Sequence, residues 1–231
     1  MKQTLFITGT DTGVGKTVLT ALLTRCLRER GVNVAALKPI CSGGRDDARV
    51  LLTALDGTLT LDEINPWHFR APVAPVLAAR REKRRVTLPQ TLTHIRKVQK
   101  RFDVILVEGA GGLLSPLGEK FDSRDLIVAL RATPIIVATN KLGVVNQLLL
   151  TLEALPPAAI KTARIVLMSP PKPDAASKNN PNLLAEYFEA KRIFSLPWLG
   201  EKFSMVAVLQ KPQVRRTLQG LLAALKDSRQ G

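Results

Sequence analysis

The sequence predicts an α/β fold in which a mostly parallel sheet is covered by helices on both faces. Short apolar runs without polar alternation, such as FDVILVEG, are typical of strands that are buried on both faces. These runs alternate with longer amphipathic segments, which is the pattern of strand–helix–strand units. A chain of 231 residues is long enough for one domain with a sizeable core. We therefore interpret residues 1–231 as a single domain whose last few residues are frayed.

Turn residues and apolar runs mark the predicted strands. The second strand ends at Pro39, because proline has no N–H group to donate to a strand ladder. The predicted strands cover residues 4–9, 32–39, 104–107, 134–140 and 163–168, with a short sixth strand within 192–198.

The predicted helices lie between these strands. The first covers residues 17–30, and Gly31 supplies its stop, since glycine readily takes the left-handed conformation that ends many helices. The other helices cover residues 46–55, 89–101, 123–131, 145–155, 181–191 and 212–226. The Pro- and Asn-rich segment 168–182 is predicted to be a loop.

The composition excludes several classes of protein. Hydrophobic residues make up 45% and charged residues 23%, as in ordinary globular proteins, which argues against a disordered chain. No apolar run approaches the roughly 18 residues of a membrane span, and the N-terminus lacks the apolar core of a signal peptide, so we expect a soluble, cytoplasmic protein. Cys26 and Cys41 are too few for a disulfide framework or a metal cluster, and we expect two reduced, buried thiols.

The net charge of +15 is unusual and partly concentrated in one region. The run RREKRR at 80–85 and the nearby Arg96, Lys97, Lys100 and Arg101 carry nine positive charges against one glutamate. We interpret this region as a solvated helical face rather than a nucleic-acid site, because few aromatic residues are available to stack on bases.

The strongest local signal is GTDTGVGKT, residues 9–17, between the first strand and the first helix. This is the context of a phosphate-binding loop, in which glycines let backbone N–H groups meet phosphate oxygens and the helix N-terminus faces the anion. Lys16 is predicted to reach the β- and γ-phosphates, and Thr17 to offer its hydroxyl to Mg²⁺.

Acidic residues at the same sheet edge would complete a magnesium site. Glu108 follows the third strand, and Asp46 and Asp47 follow the second through a short loop. Mg²⁺ prefers oxygen ligands and is commonly held by one or two carboxylates together with nucleotide phosphates. Lys38, at the end of the second strand, is predicted to face the phosphates.

Four motifs occur in a characteristic order: GTDTGVGKT, KPICSGG followed by DDA, VEGAGG and NKLGVVN. Their order and separations resemble those of dethiobiotin synthetases. The T-D-T sequence and the five residues between Gly9 and Gly15 distinguish this family from most phosphate-loop proteins. The resemblance covers about residues 3–155, with a weaker match at PWLGE, 197–201. It implies a single-domain P-loop NTPase-like fold and a homodimer.

The resemblance also implies an ATP-dependent ligase of biotin biosynthesis. One amine of 7,8-diaminononanoate takes up CO2 as a carbamate, which attacks the γ-phosphate of ATP. The second amine then displaces phosphate and closes the cyclic urea of dethiobiotin. Such chemistry depends on positioning and on neutralisation of charge, which agrees with a sequence that offers no nucleophile–base pair.

Position by position, the resemblance assigns roles to residues of this chain. Lys16, Lys38 and Ser42 are the implied catalytic residues, of which Lys38 and Ser42 also meet the diamine. Thr17, Asp47 and Glu108 are the implied Mg²⁺ ligands. The implied nucleotide site consists of Gly13, Val14, Gly15, Lys16, Thr17, Val18, Asp47, Glu108, Gly109, Ala110, Gly111, Ser169, Leu196, Pro197, Trp198 and Glu201. The implied segment for the substrate carboxylate, which acts across the dimer interface, consists of Lys141, Leu142, Gly143 and Asn146.

The chain departs from the family pattern after the fifth strand. Family members usually carry an asparagine there that reads adenine, whereas this chain has Ser169 and Pro170. A serine hydroxyl cannot make the paired donor and acceptor contact of an amide, so we expect weaker discrimination between ATP and other nucleotides.

Two other functions stay open at this point. A partition or positioning ATPase that binds DNA or a membrane would suit the basic charge, but the loop has Thr10, Asp11 and Thr12 where such proteins carry a signature lysine. A related ligase that acts on another amine would keep the same site residues.

Overall fold

The computed structural model of the protein describes residues 2–201 and 204–227. Its centre is a six-stranded sheet in the order β2-β5-β1-β6-β7-β8, in which every pair of neighbouring strands is parallel. The strands are β1 (Gln3–Gly9), β2 (Val34–Leu37), β5 (Val104–Glu108), β6 (Thr133–Thr139), β7 (Arg164–Met168) and β8 (Ile193–Leu196). The predicted α/β class and all six predicted strands are confirmed. The predicted fraying of the last residues concerns 228–231, which lie outside the described residues.

The helices connect these strands and cover the sheet. They are α1 (Lys16–Glu29), α2 (Asp46–Ala54), α3 (Leu61–Ile64), α4 (Pro75–Arg81), α5 (Leu88–Gln99), α6 (Ser123–Leu130), α7 (Val144–Glu153), α8 (Pro157–Thr162), α9 (Ala175–Ala185), α10 (Met205–Gln210) and α11 (Pro212–Asp227), with a 3₁₀ turn at Ala190–Arg192. Six of the seven predicted helices are confirmed to within about two residues. In the described part of the chain, no helix is long and apolar enough to cross a membrane.

The register of the parallel strands aligns two site residues at one edge of the sheet. Ile7 of β1 is paired with Glu108, and Leu37 of β2 is paired with Val107. Lys38, the residue after Leu37, is therefore level with Glu108. Because parallel strands present all their carboxyl ends at one edge, the loops after β1, β2 and β5 open on the same cleft.

The predicted helix over 181–191 and the predicted loop over 168–182 are wrong in their boundaries, since α9 covers Ala175–Ala185. Asp174 starts the helix by accepting a hydrogen bond from the Ser177 backbone N–H at 2.7 Å. Pro181 lies inside α9 and cannot donate to the carbonyl of Ser177, four residues earlier. The side-chain amide of Asn140 donates to that carbonyl instead, at 2.7 Å. A tertiary contact thus replaces the helical hydrogen bond that proline removes.

A second small sheet, which the sequence analysis did not predict, lies beside the cleft. Its two parallel strands are β3 (Ile40–Ser42) and β4 (Trp67–Phe69). Strands of three residues are too short to show a hydrophobic period, which explains why they escaped prediction. Through β3 this sheet carries Cys41 and Ser42 to the wall of the cleft.

Candidate active site

The phosphate-binding loop joins the central strand β1 to helix α1. Gly13 and Gly15 have positive φ angles of 74° and 98°, a conformation that L-residues rarely adopt. A Cβ atom on Gly15 would also lie only 3.0 Å from Cε of Met168. Val14 is buried in the core and anchors the loop, whereas Gly13 and Gly15 on either side of it line the cleft. The N-terminus of α1 begins at Lys16 and opens on the same space, which favours an anion there.

Lys16 lies buried over the loop and is held by the loop itself. Its Nζ donates to the backbone carbonyl of Asp11 at 2.7 Å. Burial, followed by repulsion from the nearby Lys38, lowers the pKa of Lys16 from 10.5 to about 8. An anion bound in the loop would favour the charged form of this amine.

A buried ion pair joins the ends of β2 and β5. The Nζ atom of Lys38 donates to Oε1 of Glu108 at 2.6 Å, and the exposed fractions of the two side chains are 4% and 0%. Burial acts to lower the pKa of Lys38, but the charges of Glu108 and Asp47 outweigh burial and raise it above its ordinary value. Lys38 is therefore a fixed cation at the floor of the cleft.

Asp47 and Thr17 complete this cluster from α2 and α1. Lys38 donates to Oδ2 of Asp47 at 2.9 Å, and the Thr17 hydroxyl donates to Oε1 of Glu108 at 2.7 Å. Burial acts to raise the pKa of Asp47, but the charge and the hydrogen bond of Lys38 lower it overall. The neighbouring Asp46 points to solvent, where it pairs with Arg49 at 2.7 Å. Of the two candidate aspartates, only Asp47 is thus part of the cluster.

The cluster has the donor chemistry of a magnesium site that is completed by phosphate. Thr17, Asp47 and Glu108 offer a hydroxyl and two carboxylates, which are hard oxygen ligands. Oε2 of Glu108 is buried and has no hydrogen-bond partner among the described residues. This oxygen is therefore available to coordinate a ligand. No group of three or more His, Cys, Asp or Glu side chains in the described ranges could hold a metal by itself. The residues therefore fit an ion that is shared with a nucleotide.

The cleft has a volume of about 650 Å³ and continues from the phosphate loop past the cluster to the small sheet. On the far side, the Ser42 hydroxyl donates to the carbonyl of Val73 at 2.6 Å. Cys41 also lines this wall, and burial raises the pKa of its thiol, so we expect it to be unreactive. Both cysteines are buried and free, as predicted.

Most of the predicted phosphate and metal residues line the cleft together with Lys38 and Ser42, whereas the predicted base end and carboxylate segment lie outside it. The cleft walls include Gly13, Gly15, Lys16, Thr17, Val18, Lys38, Ser42, Asp47, Glu108, Ala110 and Gly111. Gly109 lies against Ser123 and Phe6, where a Cβ atom would meet the serine Oγ at 2.5 Å.

The predicted base end lies at the carboxyl ends of β7 and β8. The Ser169 backbone N–H donates to the carbonyl of Leu196 at 2.9 Å, so the segments 169–170 and 196–198 are adjacent. Leu196 is fully buried, whereas Trp198 is 45% exposed and Glu201 is exposed. Because Met168 lies beside Gly15, this end lies next to the phosphate loop.

The predicted substrate-carboxylate segment lies at the start of α7. Leu142 is 82% exposed, and Lys141, Gly143 and Asn146 are also exposed. Leu150, farther along α7, is 63% exposed as well.

Sequence reasoning missed several residues of the site. Thr12 and the segment 72–75 line the cleft. The sequence of that segment, PVAP, is rich in proline and predicts a loop. It does not predict where in the fold this loop lies. Asn65 and Asn140 are buried amides that bond to backbone carbonyls from distant parts of the chain, for which no local pattern exists.

Comparisons with known proteins agree with this geometry. A family described as an AAA domain matches residues 3–202. An ATP-dependent dethiobiotin synthetase of Anaeromyxobacter sp. (strain K) is 40% identical over 199 residues, which cover 84% of this chain and 89% of the relative. An ATP-dependent dethiobiotin synthetase of Thermodesulfovibrio yellowstonii is 36% identical over 219 residues, with 87% and 91% covered.

Among solved structures, the fold is similar to that of pNOB8 ParA, which was solved bound to nonspecific DNA. The TM-score is 0.60 and the identity 12%, with 98% of this chain and 99% of that chain covered. At this identity the likeness concerns the fold alone.

The first prediction concerns the buried ion pair. Lys38→Met leaves the Glu108 carboxylate buried without its main partner, so we expect the free energy of unfolding to fall by about 3–5 kcal/mol. Lys38→Met combined with Glu108→Gln removes both charges, and we expect it to regain most of that loss. Urea unfolding measures all three proteins.

Arg49→Met is the control for this series, since it breaks the exposed pair with Asp46 and should cost less than about 1 kcal/mol. A double variant that is no more stable than Lys38→Met alone would contradict this prediction.

The second prediction concerns Lys16. The pKa of Lys16 is about 8 in the folded protein and 10.5 in the unfolded chain. Burial of the charged amine therefore lowers the free energy of unfolding by its full amount below pH 8. This loss of stability disappears as the pH rises from 8 to 10.5. Phosphate binding should reverse the shift, so nucleotide binding at pH 8 should take up about half a proton. Titration calorimetry in two buffers of different ionisation enthalpy measures this uptake.

Lys16→Arg stays charged at this pH and should bind nucleotide without proton uptake. Equal heats for the unaltered protein in both buffers would contradict the prediction.

Proposed function

The chain belongs to the family of ATP-dependent dethiobiotin synthetases, and from that premise we propose that its cleft converts 7,8-diaminononanoate, CO2 and ATP into dethiobiotin, ADP and phosphate. The observation that supports this most strongly is the convergence of Lys16, Lys38, Thr17, Asp47 and Glu108 between the phosphate loop and the small sheet. The cluster contains two cations, two carboxylates and the Thr17 hydroxyl. Such a set suits a reaction that depends on positioning and charge neutralisation.

The phosphate loop is proposed to bind the triphosphate of ATP. The backbone N–H groups of residues 13–18 and the start of α1 would surround the phosphates. Lys16 would exchange the Asp11 carbonyl, which it now contacts at 2.7 Å, for phosphate oxygens. This exchange replaces a neutral acceptor by an anion, so the buried amine gains charge stabilisation only when the nucleotide is present.

Thr17, Asp47 and Glu108 are proposed to hold Mg²⁺ together with the phosphates. When bound, the ion would neutralise the negative charge that develops on the transferred phosphoryl group. The protein would contribute the fixed carboxylate of Glu108 and the half-exposed carboxylate of Asp47.

Lys38 and Ser42 are proposed to hold the reacting end of the diamine. One amine combines with CO2 and loses a proton to give the carbamate, whose oxygen attacks the γ-phosphorus while ADP leaves. The second amine then attacks the carbamate carbon, and phosphate leaves as the ring closes.

Lys38 has the geometry to serve both of these steps. Its ammonium has three N–H bonds, of which two meet Glu108 and Asp47, so one is left for a carbamate oxygen. Being charged throughout the ordinary pH range, it can neutralise the carbamate before attack and the leaving phosphate afterwards.

We also propose a homodimer in which the segment from Lys141 to Asn146 meets the substrate carboxylate across the interface. In support, Leu142 is 82% exposed and Leu150, two turns along the same region, is 63% exposed. Burial of these side chains against a second subunit would remove apolar surface from water.

Other expectations from the sequence stay predictions. They are the single domain over residues 1–231, the cytoplasmic location, the absence of nucleic-acid binding and the relaxed nucleotide selectivity at Ser169. The relatives' names favour the enzyme over a DNA-bound ATPase, since the likeness to ParA concerns only the fold.

The third prediction tests the reaction. The protein, incubated with 7,8-diaminononanoate, bicarbonate, Mg²⁺ and ATP, should form dethiobiotin, which mass spectrometry detects. Lys38→Ala, assayed below its own unfolding temperature, should lose on the order of 10²-fold or more in kcat, because a buried charge that meets the reacting group is gone. Replacing ATP by GTP, CTP or UTP in the same plate should leave measurable product.

Lys97→Ala is the matched control, since Lys97 is an exposed lysine on α5, and it should keep full activity. A folded, nucleotide-binding protein that forms no dethiobiotin with any nucleotide would instead support a ligase for another amine. Strict dependence on ATP would contradict the relaxed selectivity.

The fourth prediction tests the dimer. Leu142→Asp should shift the mass measured by light scattering from dimer towards monomer, because it places a charge in an apolar interface. The KM for 7,8-diaminononanoate should rise while the KM for ATP stays within about twofold. Val206→Asp changes a 59% exposed apolar residue on α10 and should leave both measurements unchanged. A Leu142→Asp protein that stays dimeric would remove this segment from the interface.

A further inference from the structure

Asn65 is a buried amide that no part of the reaction chemistry uses. It is fully buried and follows α3, where it is succeeded by Pro66. Its own backbone N–H caps α3 by donating to the carbonyl of Leu61 at 2.9 Å. A polar side chain with no exposure at all is expected to have a full set of partners, and the identity of these partners indicates its role.

The partners of Asn65 come from three separate parts of the site. Its Nδ2 donates to the backbone carbonyl of Lys38 at 2.6 Å. Its Oδ1 accepts from Sγ of Cys41 at 3.2 Å and from Nε of Arg45 at 3.2 Å. Nδ2 also donates to the carbonyl of Trp67 at 3.4 Å, so both N–H donors have acceptors and the orientation of the amide is fixed.

Lys38 needs this support because it lies in a gap between the two sheets. Strand β2 ends at Leu37 and β3 begins at Ile40, and Lys38 between them pairs with neither sheet. Buried backbone groups must still be satisfied. The Lys38 N–H donates to the carbonyl of Ile64 at 3.0 Å, and its own carbonyl accepts from Asn65. Both backbone groups of Lys38 are therefore held by the segment 64–65.

The same amide also fixes the start of α2. Arg45 precedes the first turn of that helix, which carries Asp47. Its guanidinium donates to Oδ1 of Asn65 and also to the Asn65 backbone carbonyl at 2.9 Å. Asn65 thus connects the backbone of Lys38 with the helix that supplies the second carboxylate partner of Lys38.

We propose that Asn65 is a positioning residue that sets Lys38 relative to Asp47 and Glu108, and so sets the cation that meets the carbamate. This role rests on the proposed function, because it acts through Lys38. Two alternatives would give other outcomes. A residue that only stabilises the fold would change stability without changing kcat, and a residue that binds substrate would change KM. A shift of about 1 Å in a catalytic group can lower the rate on the order of 10²-fold while binding is retained.

Asn65→Asp is the principal test, because it keeps the size and the acceptor atom but, when ionised, loses the donor to the Lys38 carbonyl. We expect kcat to fall on the order of 10²-fold, with KM for ATP within about twofold of the unaltered protein. Asn33→Asp is the matched control. The amide of Asn33 also donates to a backbone carbonyl, that of Arg101 at 3.0 Å, but far from the cleft, so its kcat should not change.

Arg45→Lys is the second variant and is used if Asn65→Asp does not fold. It weakens the hydrogen bond that Oδ1 of Asn65 accepts from the guanidinium. We expect kcat to fall about 3- to 10-fold, again with unchanged KM for ATP. Asn65→Asp with kcat within twofold of the unaltered protein would overturn the proposal. If Asn65→Asp does not fold, Arg45→Lys with unchanged kcat would overturn it.

Hydrogen exchange of the backbone from 38 to 45 separates this proposal from the proposed function. Exchange there should be at least about tenfold faster in Asn65→Asp than in Asn33→Asp, since the amide donor that holds the Lys38 carbonyl is lost. If the unaltered protein forms no dethiobiotin, the proposed function fails, and exchange alone then decides about Asn65. Unchanged exchange in that case would overturn the anchoring role as well.

Discussion

The site is organised around a buried ion pair, because a charged side chain inside a protein needs an oppositely charged partner. Glu108 is placed inside the protein by the strand that carries it, and an unpaired carboxylate there would cost several kcal/mol. Lys38 meets this need because the register of β2 and β5 puts the two residues side by side. The pair does not have to stabilise the fold more than apolar residues would. Its consequence is that a cation and a carboxylate stand at a fixed distance at the edge where the phosphate loop opens.

The gap between the two sheets follows from the same arrangement. A lysine within the β2–β5 ladder would have a fixed backbone but would lie on a covered face of the sheet. One residue beyond the strand, Lys38 can reach the cleft, but its backbone has left the ladder. The short helix α3 and Asn65 restore those hydrogen bonds. The small, irregular elements around β3 and β4 thus have a physical reason, which is to hold a strand end where regular structure stops.

Much of the fold and part of the site could be predicted from the sequence, because both depend on local sequence patterns. Buried parallel strands are continuous apolar runs, the phosphate loop is a glycine pattern before a helix, and Glu108 follows such a run directly. The elements α3, β3 and β4 have three or four residues, too few for a period. Segment 168–182 has a loop composition, yet Asn140 lets α9 form across Pro181. Asn65 is separated by 27 residues from the carbonyl that it holds, so only the tertiary structure reveals its partner.

The direction of the helices explains part of the positive charge of the chain. In a parallel sheet, the helices that lead into strands end at the edge opposite the cleft, where their carbonyl ends carry partial negative charge. Basic residues occupy the last turns of α1, α5 and α8, which lead into β2, β5 and β7. Arg192 donates to the terminal carbonyls of α8 at 2.8 Å. In the basic run, Arg80 pairs with Glu119, and Arg84 packs 4.9 Å from the ring centre of Phe69. Arg192, Arg80 and Arg84 therefore have interaction partners within the chain.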